Sequence, residues 1–412
     1  MFLFIFSLWL LFSTSNAKLF CKDLQGNDID WFTSYKMPKL VSENNWNFVR
    51  TGAAMVYQDS NLPGKWKRAP YLITDDRCHV ANTLDPIYHW SNVTYAMYND
   101  QPPPHRKGFE NKGHAKGLIL FDDDNLIWMV HSVPGFPNPP SFGSYSYPSS
   151  GHLYGQSFLC LSLHISELEK VANQLYYNNV HVYDHNLTDA SFELSPHLQL
   201  LLKRSRPPPY PYTSTVTITT HGGKEFVSFA KDGRFRKDLY DNEVAPHLKS
   251  NLSVEAWRNG QGNIPSDCNG SYSVININSI HFNAPTGLDR DVKFETATDH
   301  SKWAVSTTDG KPWSCVGDIN RQVGQFHRGG GTVCMFQESV WESYYNLIAG
   351  VDSCVLQTVE STKTKSKTHR KKNKATKKKK SKKVKRCRVN DNYEVECVEF
   401  DEPNLNLDIL AI

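Results

Sequence analysis

Apolar and β-prone residues gather in short runs along this chain, at 48–57, 117–121, 126–130, 213–219 and 274–277. Runs of this length bounded by turn formers read as strands. Segments 166–175 and 339–349 read as helices between them. Such alternation predicts an α/β or α+β body built from stacked sheets. Asp122-Asp123-Asp124-Asn125 separates two strand runs and reads as a hairpin turn in preference to a cation loop. Residues 134–148, rich in Pro, Ser, Gly and Tyr, read as a long surface loop and a candidate groove wall. Residues 204–211 read as the connection between two halves, and the body is long enough for two subdomains around a large core.

The first 17 residues carry an apolar stretch, 2–12, then a polar segment ending Ser15-Asn16-Ala17. That pattern predicts a secretory signal peptide cleaved after Ala17, and no later segment reads as a transmembrane span. Asn92, Asn186, Asn251 and Asn269 each begin an Asn-x-Ser/Thr sequon and are candidate glycosylation sites on exposed loops. Nine cysteines suit an oxidising compartment. Neither Cys-x-x-Cys nor His-Glu-x-x-His occurs, so no zinc site, redox pair or other cofactor is expected.

Net charge of +4 conceals an asymmetry, since residues 361–388 hold 16 Lys and Arg without an acid and 389–412 hold seven acids without a base. Setting those aside leaves −5 for residues 1–360. Histidines including His79, His89, His105, His114, His131, His152 and His164 would charge below about pH 6.5 and turn this body positive in acid. The basic run reads as a solvated, disordered tail, and 357–412 is set apart from the body on that ground.

Five His-x-Lys pairs occur, at His105, His114, His247, His300 and His369, against about one expected by chance, so the bare motif carries little. Context separates them. Only His114/Lys116 and His300/Lys302 run directly into β-prone segments, where residues i and i+2 share a face. Two imidazole–ammonium couples facing one phosphate would supply a nucleophile, a proton donor and two cations.

The wider residues carry a resemblance. The blocks Asp30-Trp31-Phe32, Tyr35-Lys36-Met37-Pro38, Gly113-His114-Ala115-Lys116-Gly117, Val130-His131-Ser132-Val133-Pro134, Tyr154-Gly155-Gln156, Asp299-His300-Ser301-Lys302-Trp303, Pro312–Arg321 and Arg328-Gly329-Gly330-Gly331-Thr332 stand in this order over roughly residues 18–356. In these the chain resembles the deoxyribonuclease II family of acid endonucleases. The resemblance implies disulfides Cys21–Cys160, Cys268–Cys354 and Cys315–Cys334; a tail bridge Cys387–Cys397 would then leave Cys78 free. A looser similarity to phospholipase D implies two halves, 18–205 and 206–356, each a mixed β-sheet flanked by helices and related by a pseudo-two-fold axis. The acid that usually follows His-x-Lys there is displaced by one place at Asp122 and missing from the second half, while Gly317–Asn320 resembles the Gly-x-x-Asn element.

Phosphodiester chemistry then suggests roles. His114 would attack phosphorus to form a phosphohistidine, and His300 would protonate the departing 5′ oxygen. Lys116 and Lys302 would neutralise phosphate oxygens without metal. Asn320 would hold a phosphate oxygen or orient a histidine. His131 reads either as an orienting or phosphate-touching residue or as a core histidine, and Arg328 either as a backbone-phosphate clamp or as part of a turn. Tyr145, Tyr147 and Trp303 are candidate stacking surfaces, with the core as the alternative fate of Trp303. The expected activity is an acid endodeoxyribonuclease yielding 3′-phosphates, in the lysosome or outside the cell, degrading DNA that includes apoptotic DNA. The competing reading is a secreted DNA-binding or toxin-like protein of the same fold. The expected partner is DNA, with anionic polymers or lipid on the basic tail, and the chain is expected as a monomer or homodimer.

Overall fold

The computed structural model describes residues 18–41, 47–91, 93–104, 108–203, 208–283, 288–354, 383–389 and 395–401. The expected signal peptide, residues 1–17, with Asn92, His105, His369 and most of the tail, lies outside them. Two compact units emerge, 1–357 and 358–412.

The larger unit opens with a small hairpin, β1 (Cys21–Lys22) and β2 (Asp28–Ile29). Eight strands follow: β3 (Trp31–Lys36), β4 (Met55–Asp59), β5 (Lys67–Arg68), β6 (Thr94–Asn99), β7 (Lys116–Phe121), β8 (Asn125–His131), β9 (Gln156–His164) and β10 (Val182–His185). They form an antiparallel sheet in the order β10-β6-β7-β8-β9-β3-β4-β5. A second sheet takes β11 (Thr213–Thr219), β12 (Glu225–Lys231), β13 (Leu252–Glu255), β14 (Val274–Phe282), β15 (Val292–Glu295), β16 (Trp303–Ser306), β17 (Trp313–Gly317), β18 (Gly330–Phe336) and β19 (Ile348–Val351). Its order is β11-β12-β18-β17-β16-β13-β14-β15, with β19 against β14 and only β13–β14 parallel. The smaller unit contributes the antiparallel pair β20 (Lys383–Val389) and β21 (Val395–Asp401), whose register sets Cys387 opposite Cys397.

Alternation along each strand sorts the core into layers. Ile119, Phe121, Trp128 and Val130 point into a central layer with Trp303, Val305, Val316 and Val333 of the second sheet. Helices Leu168–Tyr177 and Glu338–Tyr345 add Val171, Leu175, Val340 and Tyr344 to it. The intervening residues Leu118, Leu120, Ile127 and Met129 face outward, where helix His79–His89 covers them with Val80, Leu84 and Ile87. Ala304, Cys315 and Cys334 face a third cluster on the far side of the second sheet. Both faces of the central strands are buried, so they read as continuous apolar runs. Each fully buried aliphatic side chain contributes about 1.5–3 kcal/mol. The disulfides are Cys21–Cys160, Cys268–Cys354 and Cys315–Cys334, and Cys78 is a buried free thiol.

Two segments differ from the pattern read in the sequence. The run 48–57 divides into helix Asn47–Arg50 and strand β4, because Gly52 turns the chain at φ +64°, a conformation suited to glycine. The helix of 339–349 stops at Tyr345, and its last residues enter β19. Asp122 sits in the β7–β8 turn, its carboxylate accepting from the Asp124 and Asn125 amides, which suits a turn and not a catalytic acid.

Burial also corrects the expected charging in acid. His79 lies among Phe32 and Tyr57 with Nε2 2.6 Å from the Ser34 hydroxyl, and burial pushes its pKa down to about 3. His131 is likewise pushed by burial, then by Lys116, to about 3. These two remain neutral near pH 5. The unfolded His79 takes a proton below about pH 6.5, the folded one only near 3. Its contribution is therefore present above pH 6.5 and is lost progressively as pH falls toward 3. At about 1.4 kcal/mol per unit, some 2 kcal/mol disappears between pH 6.5 and 5. Urea melts at pH 7 and 5 should show His79→Gln losing about that much less than the parent protein; equal losses would contradict this.

Candidate active site

Both His-x-Lys pairs lie at the entrances to strands: β7 begins at Lys116 and β16 at Trp303. Each entrance is tied to a segment that leads into the other sheet. The His114 amide donates to the Gly329 carbonyl and the His300 amide to the Gly155 carbonyl, each at 2.8 Å. Gly329 also passes close to Asn178, where a Cβ would stand 2.2 Å from the Asn178 carbonyl oxygen. The crossed connections bring the His114 and His300 rings to 6.4 Å between centroids, inclined at 64°.

Their hydrogen bonds fix the tautomers. His114 Nδ1 lies 2.6 Å from the Asp318 carbonyl oxygen, and His300 Nδ1 lies 2.9 Å from that of Ser132 and 3.2 Å from Gln156 Oε1. A carbonyl only accepts, so each Nδ1 carries the proton and each neutral ring keeps its lone pair on Nε2. Ser132 Oγ donates to the same Gln156 oxygen at 2.5 Å and steadies it. Burial, then the Lys116 ammonium, holds the His114 pKa well below 6.5. Burial, then Lys302 and Lys116, does the same to His300. In the free protein both imidazoles are thus neutral near pH 7.

Lys116 and Lys302 are fully buried. Lys116 is ion-paired with Asp100, which also accepts from Arg328 Nη2 at 2.8 Å. Burial works against the Asp100 carboxylate, but Lys116, His114 and Arg328 together hold its pKa well below the ordinary range. Lys302 donates to the His300 carbonyl at 2.6 Å, and burial followed by the Lys116 charge pushes its pKa well down. The acids around Lys302 are of another kind. Asp299, bound by Tyr35 and Ser301, and Glu255, whose two oxygens have no hydrogen-bond partner, are both pushed upward chiefly by burial.

The two rings open into a cleft of about 540 Å³ whose lining includes Asp100, Pro134, Tyr154, Gln156, Trp257, Asn320 and Arg328. A larger cavity of about 970 Å³ lies elsewhere, beside Asp122–Asp124, His164 and His221, away from this chemistry. Asn320 reaches the cleft with its amide nitrogen 3.4 Å from Gln322 Oε1 and its carbonyl oxygen unpartnered. Arg328 lines the cleft while engaged by Asp100 and by the Lys112 and Gly113 carbonyls.

His131 stands apart from the cleft. It shares the outward face of β8 with Ile127 and Met129, packs on Phe136 and Phe158, and accepts the Val133 amide on Nδ1. Of the two positions read for it, this is the core one; its neighbour Ser132 supplies the carbonyl that orients His300. Trp303 is wholly in the core, and Tyr145 and Tyr147 pack on the outer face of the first sheet. The aromatics at the cleft are instead Tyr154 and Trp257. Asp100 was likewise not found in the sequence. Its signal is the strand register, in which Asn99 pairs with Lys116 and the next residue reaches the ammonium. Among the proposed glycan sites, Asn269 and Asn186 are exposed, Asn251 is half-buried, and the Asn186 amide donates to the Val93 carbonyl. Among the described residues no helix is long and apolar enough to cross a membrane.

Residues 20–354 match the family model for deoxyribonuclease II. The chain is 36% identical over 341 residues to mouse deoxyribonuclease-2-alpha, covering 82% of this chain and 94% of the relative. It is 36% identical over 338 residues to plancitoxin-1 of Acanthaster planci, covering 81% and 92%. It is 35% identical over 369 residues to deoxyribonuclease-2 of Caenorhabditis elegans, covering 83% and 96%. The chain belongs to the deoxyribonuclease II family and is a deoxyribonuclease.

Proposed function

We propose that this deoxyribonuclease is an acid endonuclease that cuts DNA through a phosphohistidine and leaves 3′-phosphate and 5′-hydroxyl ends without a metal ion. One observation carries the reading: two imidazoles 6.4 Å apart, each with Nδ1 donated to a carbonyl and Nε2 left open. A phosphorus within about 3–3.5 Å of His114 Nε2 is in attack range. The Nε2 lone pair forms the N–P bond as the P–O5′ bond breaks, and His300 gives its Nε2 proton to the departing oxygen. His300 then takes a proton from water, which attacks phosphorus, releases the 3′-phosphate and restores neutral His114. Lys116 and Lys302 act on the phosphate as buried cations close to both rings, and Asn320 offers its amide to a phosphate oxygen.

Acid dependence follows from the same electrostatics. His300 must carry a proton to act as the acid, yet its pKa is pulled below 6.5. Turnover is therefore lost as pH rises through that lowered value, and the anionic phosphate between the rings draws the proton affinity back up.

The strand orders β6-β7-β8-β9-β3 and β13-β16-β17-β18-β12 place each His-x-Lys strand second in a matching antiparallel run. That correspondence supports two phospholipase D-like halves, 18–205 and 206–356, related by a pseudo-two-fold axis. The leader pattern and three disulfides support passage through the secretory pathway, to the lysosome or the exterior, where DNA including apoptotic DNA would be degraded. Asn92, Asn186, Asn251 and Asn269 are the glycan sites this route would use. The tail, 357–412, would tether anionic polymers, DNA among them. The similarity to enzymes named deoxyribonuclease-2 favours catalysis over a binding-only protein.

Plasmid nicking tests the central reading. At pH 5 with excess chelator the rate should be unchanged, and it should fall steeply by pH 7.5. The product 3′ ends should resist polymerase extension until treated with phosphatase. Loss of nicking in chelator that magnesium restores, or 5′-phosphate ends, would overturn the reading.

A further inference from the structure

The cleft has two unlike flanks. On the His114 side stand Asp100 and Arg328, ion-paired at 2.8 Å, with Arg328 also donating to the Gly113 carbonyl. Beside His300 stand Tyr154 and Trp257, whose rings meet edge-on at 4.4 Å and 82°. Trp257 also meets the His300 ring at 5.0 Å and 71°. Both aromatics are half-buried, so each keeps surface open to the cleft. Their backbones are held. Gln322 Nε2 donates to the Trp257 carbonyl at 3.2 Å, and the buried Lys36 ammonium donates to the Tyr154 carbonyl. A rigid, partly open aromatic surface beside a phosphate site suits a nucleobase, since every base offers a π-face and stacking tolerates any sequence.

We propose that Tyr154 and Trp257 form a base-stacking subsite for the nucleoside on the leaving-group side of the scissile phosphate. The assignment rests on reading His300 as the proton donor. In-line attack by His114 sets the departing 5′ oxygen opposite, toward His300, and the nucleoside bearing that oxygen then lies against the Trp257 flank. The nucleoside that keeps the phosphate lies along the polar flank beside Arg328. The cleft thus fixes strand direction by stacking on one side and polar contacts on the other, without selecting a base.

The test is a two-by-two cycle with an oligonucleotide holding one cleavable phosphodiester among methylphosphonates. Its leaving nucleoside is either intact or an abasic tetrahydrofuran. For the parent enzyme the abasic substitution should lower kcat/KM by about 10- to 100-fold, the range expected of one stacked base. Trp257→Leu should lose a similar factor on the intact oligonucleotide and little more on the abasic one, with an unchanged pH profile. Trp257→Phe should recover most of the loss. Equal losses by Trp257→Leu on both oligonucleotides, or a displaced pH profile, would overturn the proposal and make Trp257 a support for His300. An abasic effect confined to the other nucleoside would overturn the assignment of sides. Failure of the underlying mechanism would read differently, as turnover retained by His114→Ala.

Discussion

His114→Ala lowers kcat on DNA by about 10⁴-fold or more while leaving the fold intact, and His300→Ala does nearly as much. The first loses the atom that attacks phosphorus; the second loses the proton for a poor alkoxide leaving group and the base for the water step, steps typically worth 10²–10⁴-fold each. Both residues act in one reaction, so the double variant should be scarcely worse than the poorer single one. A substrate whose leaving group needs no proton separates the roles. With thymidine 3′-(p-nitrophenyl phosphate), His300→Ala should recover a single-turnover burst of p-nitrophenolate, while His114→Ala should not. Circular dichroism and urea melts check the fold. Equal recovery by both variants would contradict the assignment.

Asp100→Ala should destabilise the protein by about 3–5 kcal/mol, the cost of breaking a buried ion pair from one side. Asp100 holds Lys116, which is wholly buried, and Arg328, whose guanidinium also binds the Lys112 and Gly113 carbonyls just before His114. Removing the carboxylate leaves two cations beside His114 uncompensated, which lowers its proton affinity further and loosens the loop that carries it. The folded pKa of Asp100 is held below its ordinary value, so the stabilisation is present above about pH 4 and is lost only in stronger acid. The deficit should therefore be undiminished at pH 5. Urea midpoints of Asp100→Ala and Asp100→Asn at pH 5 and 7 measure it; a loss under about 1 kcal/mol would show that the Lys116 charge is balanced elsewhere.

The legible parts of this molecule are those whose signal is local. The runs at 117–121 and 126–130 became β7 and β8 because apolar strands buried on both faces have few alternatives. The turn at Asp122 was legible from its own side chains. His114 and His300 could be singled out by the strands they lead into. What no local signal conveys is which residues meet across the sheet. Asp100 reaches Lys116 through register, and Trp257 reaches His300 from a loop after β13. His131 stays open between site and core in the sequence because a shift of one residue exchanges the faces: its ring enters the core while the carbonyl of Ser132 reaches His300. Charging in acid was overestimated for a related reason, since composition counts His79 and His131 but burial keeps them neutral.

The covalent step can be caught directly. His300→Ala should attack thymidine 3′-(p-nitrophenyl phosphate) once and then stall, because the base for the water step is gone. Mass spectrometry of the protein quenched at alkaline pH, where phosphohistidine survives, should find a thymidine-phosphoryl adduct on residue 114. Absence of any adduct, with product appearing only by direct hydrolysis, would contradict the phosphohistidine mechanism.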